Sequence, residues 1–324
     1  MTFIAKERNG KTTAFGKYGR LVVTGKKLTD LNGVPVCLRG ISTHNLSLYD
    51  EYVNEAAFTD FADKYNISIL RLAMYSANAD DRDGYADSND EHRAYLEDLI
   101  MKGVEICAKL GIYCLVDWHI LLDYNPNMHK DMAIRFWKNI CPKLKEYDNV
   151  ILEICNEPNV DLKTGEQAEW KDITAFANEI IPVIRAIDDS KIIIVGTPVW
   201  SQKVDRAADS PLDYPNIMYT LHFYADSHKK DLRNLMHYAL KKNLPIFVTE
   251  FGICNASGDG NINDEEGNIW IDELIQNDIS YIMWNLSNKA ETSSLLRSDC
   301  TKTSGFSDSD LSESGLRMKK YMSM

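Results

Sequence analysis

Short apolar runs rich in β-branched residues recur along the chain, and each stays apolar throughout rather than alternating with polar residues. Strands of this kind are typical of a parallel sheet whose two faces are both covered. The runs predict eight buried strands, at 36–42, 67–73, 112–119, 150–157, 191–197, 216–222, 244–250 and 279–285.

Between the runs, apolar residues recur every three or four positions, which is the periodicity of an amphipathic helix. In 91–111, Leu96, Leu99 and Val104 follow this spacing, and Gly111 supplies a C-terminal stop. The eight strands alternate with helical segments without a linker, which predicts an α/β fold: one closed (β/α)8 TIM barrel, a single domain over 1–324. The other predicted helices are 55–66, 133–147, 170–188, 231–243 and 269–278.

Two flanking segments stand outside this repeat. In 17–36, the strings LVVTG and KLTD precede an Asn-Gly turn, which predicts an N-terminal β-hairpin across the bottom of the barrel. In 286–324, a Ser- and Asp-rich stretch predicts a long surface loop followed by a short C-terminal helix.

Composition excludes several classes of partner. Lys+Arg 36 against Asp+Glu 48 give a net charge of −12, which repels polyphosphate, so nucleic acid is not expected as a partner. No apolar run reaches the roughly 18 residues of a membrane span. The first twenty residues lack the apolar segment of a signal peptide, so the chain is either intracellular or follows a removed leader. The seven cysteines include no CxxC pair, and we interpret them as core residues.

Candidate chemistry follows from the predicted barrel, because catalytic groups lie at the C-terminal ends of its strands. A single glutamate after a strand is more often a helix cap or a surface carboxylate. Glu157 after strand 4 and Glu250 after strand 7, however, lie roughly across one barrel mouth and can face each other. Glycosidic bond cleavage requires such a pair: one carboxyl protonates the leaving oxygen, and the other attacks or stabilises the oxocarbenium-like centre.

Two histidines and an arginine lie at the same predicted mouth. His119 and His222 could each be ordinary buried histidines, but together they could bind sugar hydroxyls or orient a carboxylate. A metal site that combines both with a glutamate remains an alternative, although no HExxH-like spacing supports it. Arg71 is costly to bury unpaired, which predicts a carboxylate partner, and beside Glu250 it would favour the ionised form.

Aromatic residues could supply stacking faces for a sugar ring, since the apolar face of a pyranose packs against such rings. Trp284 at the end of strand 8 and Trp200 just after strand 5 are placed to line the cleft. Core packing is the alternative for any tryptophan, and it is more favoured for Trp137 and Trp170, which lie on predicted helices.

Six segments of the chain can be compared with known families: VILEICNEPN, LVDWHILLDYNPN, VGTPVWSQ, LHFYADSH, IFVTEFG and YIMWNLSNKAET. Together they resemble the signature segments of glycoside hydrolase family 5, most closely its subfamily 2 of bacterial endo-β-1,4-glucanases. The resemblance extends in order from about residue 17 to 321. It implies retaining, metal-independent hydrolysis of β-1,4-glucan or cello-oligosaccharides, with no cofactor, by a secreted enzyme that we expect to be a monomer.

The resemblance also implies a role for each candidate residue. By position in the motifs, Glu157 is similar to the acid/base of the family and Glu250 to its nucleophile. The implied supporting roles are Asn156 on the 2-hydroxyl, Arg71 and Tyr224 orienting and tuning Glu250, His222 near the acid/base, His44, Tyr75 and His119 lining the −1 and −2 subsites, Trp284 as the −1 platform, Trp200 as a positive-side platform, and Lys289 and Glu291 on a −2 glucose.

Two positions depart from the family pattern. Leu48 stands where the family has Trp, and Phe251 replaces the Trp common after the nucleophile. We expect both to alter affinity or substrate range rather than chemistry, because neither transfers protons. A preference for mixed-linkage β-glucan, xyloglucan or mannan is therefore an open alternative. A non-catalytic glucan-binding barrel is another, against which the retained pair Glu157 and Glu250 argues.

Overall fold

A computed structural model of the chain describes residues 3–77 and 84–324. Eight parallel strands close into a barrel, each paired with its sequence neighbours and the last with the first. Every strand residue except Arg39 is buried, as the continuous apolar runs predict. The predicted (β/α)8 fold is confirmed. The strands are β1 (Arg39–Thr43), β2 (Ile69–Tyr75), β3 (Tyr113–His119), β4 (Val150–Glu153), β5 (Ile193–Val195), β6 (Ile217–Tyr224), β7 (Ile246–Gly252) and β8 (Tyr281–Leu286).

Helices surround the barrel, and their ends follow local sequence signals. Asp90–Leu110 starts where the Asn89 side chain accepts a hydrogen bond from the His92 backbone, and it ends at Gly111 with a left-handed φ of 68°. The others are Ala14–Tyr18, Glu55–Lys64, Lys130–Leu144, Trp170–Arg185, Pro198–Ser201, Val204–Asp209, Lys230–Lys241, Asp264–Gln276 and Glu313–Met322, with a 3-10 turn at Asp50–Tyr52.

Two of the differences between the predicted and observed elements lie at β4 and after β5. Strand β4 ends at Glu153 although the apolar run continues to 157, because the chain leaves the ladder there and enters a buried loop. Between β5 and β6 the structure has two short helices, Pro198–Ser201 and Val204–Asp209, which the apolar periodicity did not predict. Helices of four and six residues are too short to show that periodicity.

The predicted N-terminal hairpin is present as Leu21–Thr24 paired antiparallel with Lys27–Asp30. Its Val23 N–H donates to Asn216 Oδ1 at 3.0 Å, just before β6. Its Lys27 forms an ion pair with Asp278 at 2.8 Å, just before β8. The hairpin therefore lies against the N-terminal ends of the strands, which leaves the opposite end open.

Segments outside the barrel repeat complete the fold. A second small hairpin, Glu7–Arg8 with Lys11–Thr12, precedes the first helix. The C-terminal helix Glu313–Met322 contacts the barrel where the Tyr281 hydroxyl donates to the Tyr321 carbonyl at 2.9 Å. Over the described ranges, none of the helices has the length and apolar character needed to cross a membrane.

Candidate active site

A cavity of about 670 Å³ opens at the C-terminal ends of the strands. Arg71 and Asn156 are fully buried beneath it. The structure thus brings the predicted site residues together at one end of the barrel. Those that line the cavity are His44, Tyr75, His119, Glu157, Trp200, His222, Tyr224, Glu250, Trp284, Lys289 and Glu291.

Glu157 and Glu250 face each other in this cavity. A carboxylate oxygen of one lies within 4.8 Å of a carboxylate oxygen of the other. Carboxyls about 5–5.5 Å apart allow one to attack the carbon whose leaving oxygen the other protonates, whereas about 6.5–9.5 Å is needed to fit a water between them. The observed spacing therefore suits double displacement.

Glu250, on β7, is held by two donors. Arg71 Nη1 donates to Oε2 at 3.2 Å, and the Tyr224 hydroxyl donates to Oε1 at 2.9 Å. Burial and the neighbouring Glu157 raise the pKa of Glu250, while Arg71 opposes that rise. The Arg71 guanidinium and the Tyr224 hydroxyl both stabilise the ionised carboxylate of Glu250. When Glu157 and Glu250 together take up one proton, Glu157 therefore holds it.

Glu157 lies in a different environment. Burial raises its pKa to about 8, and the nearby carboxylates Glu153 and Asp117 add to the rise. Its Oε1 lies 2.9 Å from Nδ1 of His222, whose own pKa is lowered to about 4 by burial. A neutral imidazole beside a protonated carboxyl is therefore the stable state near neutral pH, and Glu157 is suited to donate a proton.

A chain of hydrogen bonds sets which nitrogen of His222 carries the proton. Thr249 donates its single hydroxyl proton to Glu153 at 2.6 Å, and Nε2 of His222 lies 2.9 Å from the same hydroxyl oxygen. Above a pH of about 7, where Glu153 is ionised beside Arg71 at 2.8 Å, His222 donates through Nε2 and accepts through Nδ1. The proton between His222 and Glu157 then belongs to Glu157.

Arg71 lies at the centre of a buried charge cluster. It forms ion pairs with Asp117 at 2.9 Å, Glu153 at 2.8 Å and Glu250 at 3.2 Å, and its Nη2 donates to Asn156 Oδ1 at 2.6 Å. The sequence predicted a carboxylate partner for Arg71 but missed Asp117 and Glu153. Asp117 and Glu153 carry the same signal that identified Arg71, since each is a charged residue inside an apolar strand. Burial raises the pKa of both missed carboxyls to about 7.

His119 and Asn156 are fixed by the same cluster. His119 Nδ1 lies 2.7 Å from Asp117, and burial lowers the pKa of His119 well below its usual value, so the ring is neutral and donates to that carboxylate. Asn156 Nδ2 donates to His119 Nε2 at 3.2 Å and to the Ile120 carbonyl at 3.0 Å. Both amide hydrogens of Asn156 thus have protein acceptors, and a substrate hydroxyl would have to share one of them.

Stacked rings form one wall of the cavity. Trp284 stacks on His119 at 5.3 Å, His119 on Tyr75 at 4.2 Å, and Tyr75 on His44 at 6.0 Å. The Arg71 guanidinium lies 5.9 Å from the Trp284 ring. The peptide bond after Trp284 is cis. All four rings line the cavity, so this wall is aromatic.

The rim of the cavity is more exposed. Lys289 and Glu291 form an ion pair at 2.5 Å that borders the cavity, and Trp200 lies half-buried there. Leu48 is 45% exposed, so the departure from the family pattern is at the surface. Phe251 is instead fully buried, with Phe223 at 5.1 Å and Tyr281 at 5.9 Å. Phe251 does not line the cavity, so any effect of this residue on substrate range would not come from direct contact with the substrate.

Metal ligation offers a second interpretation of the same residues. In the part of the chain that the structure describes, Glu157, His222 and Glu250 are close enough to share an ion, and His119 of the sequence-based alternative is not among them. Metal ligands must be deprotonated, and burial raises the pKa of Glu157 to about 8. An ion bound here would therefore have to displace the proton that Glu157 holds near neutral pH.

Comparisons with known proteins agree with this geometry. A family model described as Cellulase (glycosyl hydrolase family 5) matches residues 29–290. Endoglucanase A of Butyrivibrio fibrisolvens is 43% identical over 300 residues, covering 92% of this chain and 67% of that protein. An endoglucanase of Clostridium saccharobutylicum is 43% identical over 309 residues, covering 95% and 66%. The chain thus spans about two thirds of the length of these curated relatives.

Solved structures give the same result. Cellulase Cel5C_n has a TM-score of 0.88 at 39% identity, covering 100% of this chain and 96% of that one. The catalytic domain of Thermobifida fusca endoglucanase Cel5A, in complex with cellotetraose, has a TM-score of 0.87 at 31% identity, covering 96% and 100%. On these matches the chain belongs to glycosyl hydrolase family 5, the cellulase family, and is a glycoside hydrolase.

Proposed function

We propose that the chain is a retaining endo-β-1,4-glucanase that cleaves internal bonds of cellulose and related β-glucans. The observation that carries the proposal is the pair Glu157 and Glu250, with carboxylate oxygens within 4.8 Å and different hydrogen-bond partners. The relatives are named endoglucanases, and one related structure holds cellotetraose, which supports a β-glucan substrate.

In the first step, Glu157 donates its proton to the interglycosidic oxygen while a carboxylate oxygen of Glu250 attacks the anomeric carbon. The bond between that carbon and the leaving oxygen breaks, and a covalent glycosyl ester on Glu250 forms. In the second step, Glu157, now ionised, takes a proton from water as the water oxygen attacks the anomeric carbon. The ester bond breaks and Glu250 leaves as a carboxylate, stabilised by Arg71 and Tyr224.

The other residues divide between support and binding. Arg71 and Tyr224 orient Glu250, and His222 keeps the proton on Glu157. Asn156 holds the 2-hydroxyl of the sugar being transferred. The remaining side chains bind glucosyl units: His44, Tyr75 and His119 at the −1 and −2 subsites, Trp284 as the −1 platform, Lys289 and Glu291 at −2, and Trp200 on the positive side.

Cellulose is an insoluble polymer outside the cell, so we propose that the enzyme acts after secretion. Its action as a monomer, without metal or cofactor, is part of the same proposal. Mixed-linkage β-glucan, xyloglucan and mannan are competing polymers, because the exposed Leu48 offers little stacking area at a distal negative subsite. The reacting groups alone do not distinguish these polymers.

The test is a product profile on cello-oligosaccharides, with the anomer of the first product recorded by NMR before it mutarotates. We expect cleavage of internal bonds with the β-anomer formed first. First formation of the α-anomer would mean inversion and would contradict the double displacement. Parallel rates on the competing polymers decide the substrate, and binding without release of reducing ends would favour a non-catalytic glucan-binding protein.

A further inference from the structure

Three consecutive residues after β5 adopt left-handed backbone conformations. Val199, Trp200 and Ser201 have φ values of 60°, 52° and 56°, and none of them is glycine. Such values are uncommon for residues with a side chain and are a real outlier for a β-branched valine. Backbone conformations of this kind persist only where surrounding contacts impose them, and they concentrate at functional sites.

The contacts that impose this turn reach the loop that carries Glu157. The Trp200 N–H donates to the Pro158 carbonyl at 2.9 Å. The Ser201 hydroxyl donates to the Asn156 carbonyl at 2.5 Å. These two carbonyls belong to the residues directly before and after Glu157, so the turn holds the backbone of Glu157 on both sides.

Ser201 is fixed by further bonds and is fully buried. Its oxygen accepts from the Thr197 N–H at 3.2 Å, and its own N–H donates to the Thr197 carbonyl at 3.0 Å. The two backbones also approach closely nearby, since a Cβ on Gly196 would lie 2.4 Å from the Cys155 carbonyl oxygen. Hydrogen bonds and close backbone packing therefore join the turn to the Glu157 loop.

We propose that Ser201 is a positioning residue for Glu157, and that the turn 199–201 couples binding on the Trp200 ring to the position of the acid/base. Trp200 lines the cavity while its backbone holds Pro158, so a glucosyl unit stacked on its ring acts on the segment that aims the proton donor. The inference rests on the proposed function, because it takes Glu157 as the acid.

The test exploits the dependence of acid catalysis on the leaving group. In an aryl β-cellobioside, a 2,4-dinitrophenolate leaving group departs without being protonated. A phenolate leaving group instead needs a proton from Glu157. We expect Ser201→Ala to lower kcat/KM for phenyl cellobioside by about tenfold, through misplacement of the donor, and to leave the dinitrophenyl substrate within about twofold. A general structural defect would lower both values equally.

Two further variants keep the result interpretable. Ser201→Gly also loses the hydroxyl but tolerates a φ of 56°, so it serves if Ser201→Ala does not fold. Ser280→Ala is the matched control, because Ser280 is equally buried and accepts from the Leu38 N–H at 2.9 Å at the opposite end of the barrel. We expect Ser280→Ala not to lower kcat/KM for one of the two substrates more than for the other.

The coupling to Trp200 is tested by a double-mutant cycle. If the turn couples the two, the effects of Trp200→Ala and Ser201→Ala on phenyl cellobioside will not add. Additive effects would overturn the coupling, and equal losses on both leaving groups would overturn the role of Ser201. Glu157→Gln is the reference variant, because it removes the proposed acid itself. If Glu157→Gln lowers the values for both leaving groups equally, the proposed function fails together with this inference.

Discussion

His222 Nδ1 lies 2.9 Å from Glu157 Oε1, and the proton between them belongs to the carboxyl. Burial lowers the pKa of His222 to about 4 and raises that of Glu157 to about 8, so both groups are neutral between these values. A buried acid that stays protonated at neutral pH is what leaving-group protonation requires.

The pH dependence of kcat/KM follows from this pair. Activity should fall as the pH rises through about 8, because Glu157 then loses the proton that it must donate. The carboxylate of Glu153 contributes to the raised pKa of Glu157, so Glu153→Gln should move the alkaline limb to lower pH. Glu97→Gln, at a buried carboxyl on the outer helix Asp90–Leu110, is the control and should leave the limb in place. An unmoved limb in Glu153→Gln would contradict this account.

Replacing Glu250, the proposed nucleophile, should abolish turnover without unfolding the protein. Glu250→Gln keeps the shape of the side chain but cannot form the ester, so we expect a loss on the order of 10⁵-fold in the release of reducing ends from carboxymethylcellulose. Circular dichroism checks that the variant is folded. Glu105→Gln, on the exposed face of a helix, is the control and should be fully active. Full activity of Glu250→Gln would contradict the assignment of Glu250 as the nucleophile.

Arg71 should be essential for stability as well as for activity. Arg71→Met leaves Asp117, Glu153 and Glu250 buried without their cation, which should lower the free energy of unfolding by about 3–5 kcal/mol. The loss should be larger at pH 8 than at pH 5. Asp117 and Glu153, with pKa values raised to about 7, take up protons as the pH falls and no longer carry unpaired charge.

Urea unfolding at both pH values measures this difference. The matched control is Arg317→Met, because Arg317 pairs with Asp264 and Glu313 near the surface, where such bridges contribute about 0–1 kcal/mol. Arg71→Lys should recover only part of the stability, since an ammonium cannot reach three carboxylates in the directions that a guanidinium does. Equal losses for Arg71→Met and Arg317→Met would show that the cluster is not what we describe.

A distal stacking surface should be recoverable at Leu48. Leu48→Trp places an aromatic ring at a position that is 45% exposed, and stacking of about 0.5–1.5 kcal/mol corresponds to a KM roughly 2- to 12-fold lower. The gain should appear for cellopentaose and not for cellotriose, which is too short to occupy that subsite. Steady-state kinetics on the two oligosaccharides, with Leu162→Trp as an exposed control, test this. An equal gain on both substrates would indicate non-specific binding.

The continuous apolar runs determined the parallel barrel, because a strand buried on both faces leaves no polar alternation in the sequence. The barrel in turn placed Glu157 and Glu250 at one mouth, since the carboxyl ends of all its strands meet there. The hairpin at the bottom was predicted from the strings LVVTG and KLTD, but its turn lies at Gly25-Lys26, and the Asn-Gly pair comes after its second strand. These are local patterns, and one chain is enough to show them.

Only the tertiary structure decided how the groups at that mouth act on one another. Arg71 is separated from Glu153 by 82 positions and from Glu250 by 179, so no local pattern reveals that one guanidinium joins them. The tautomer of His222 depends on Thr249. The position of Glu157 depends on a turn at Ser201, which is too short and irregular to be predicted from the sequence. Proton positions and pKa values arise from such long-range contacts between buried groups. For that reason the sequence could place the two glutamates and imply their roles by resemblance, but could not show the contacts that distinguish them.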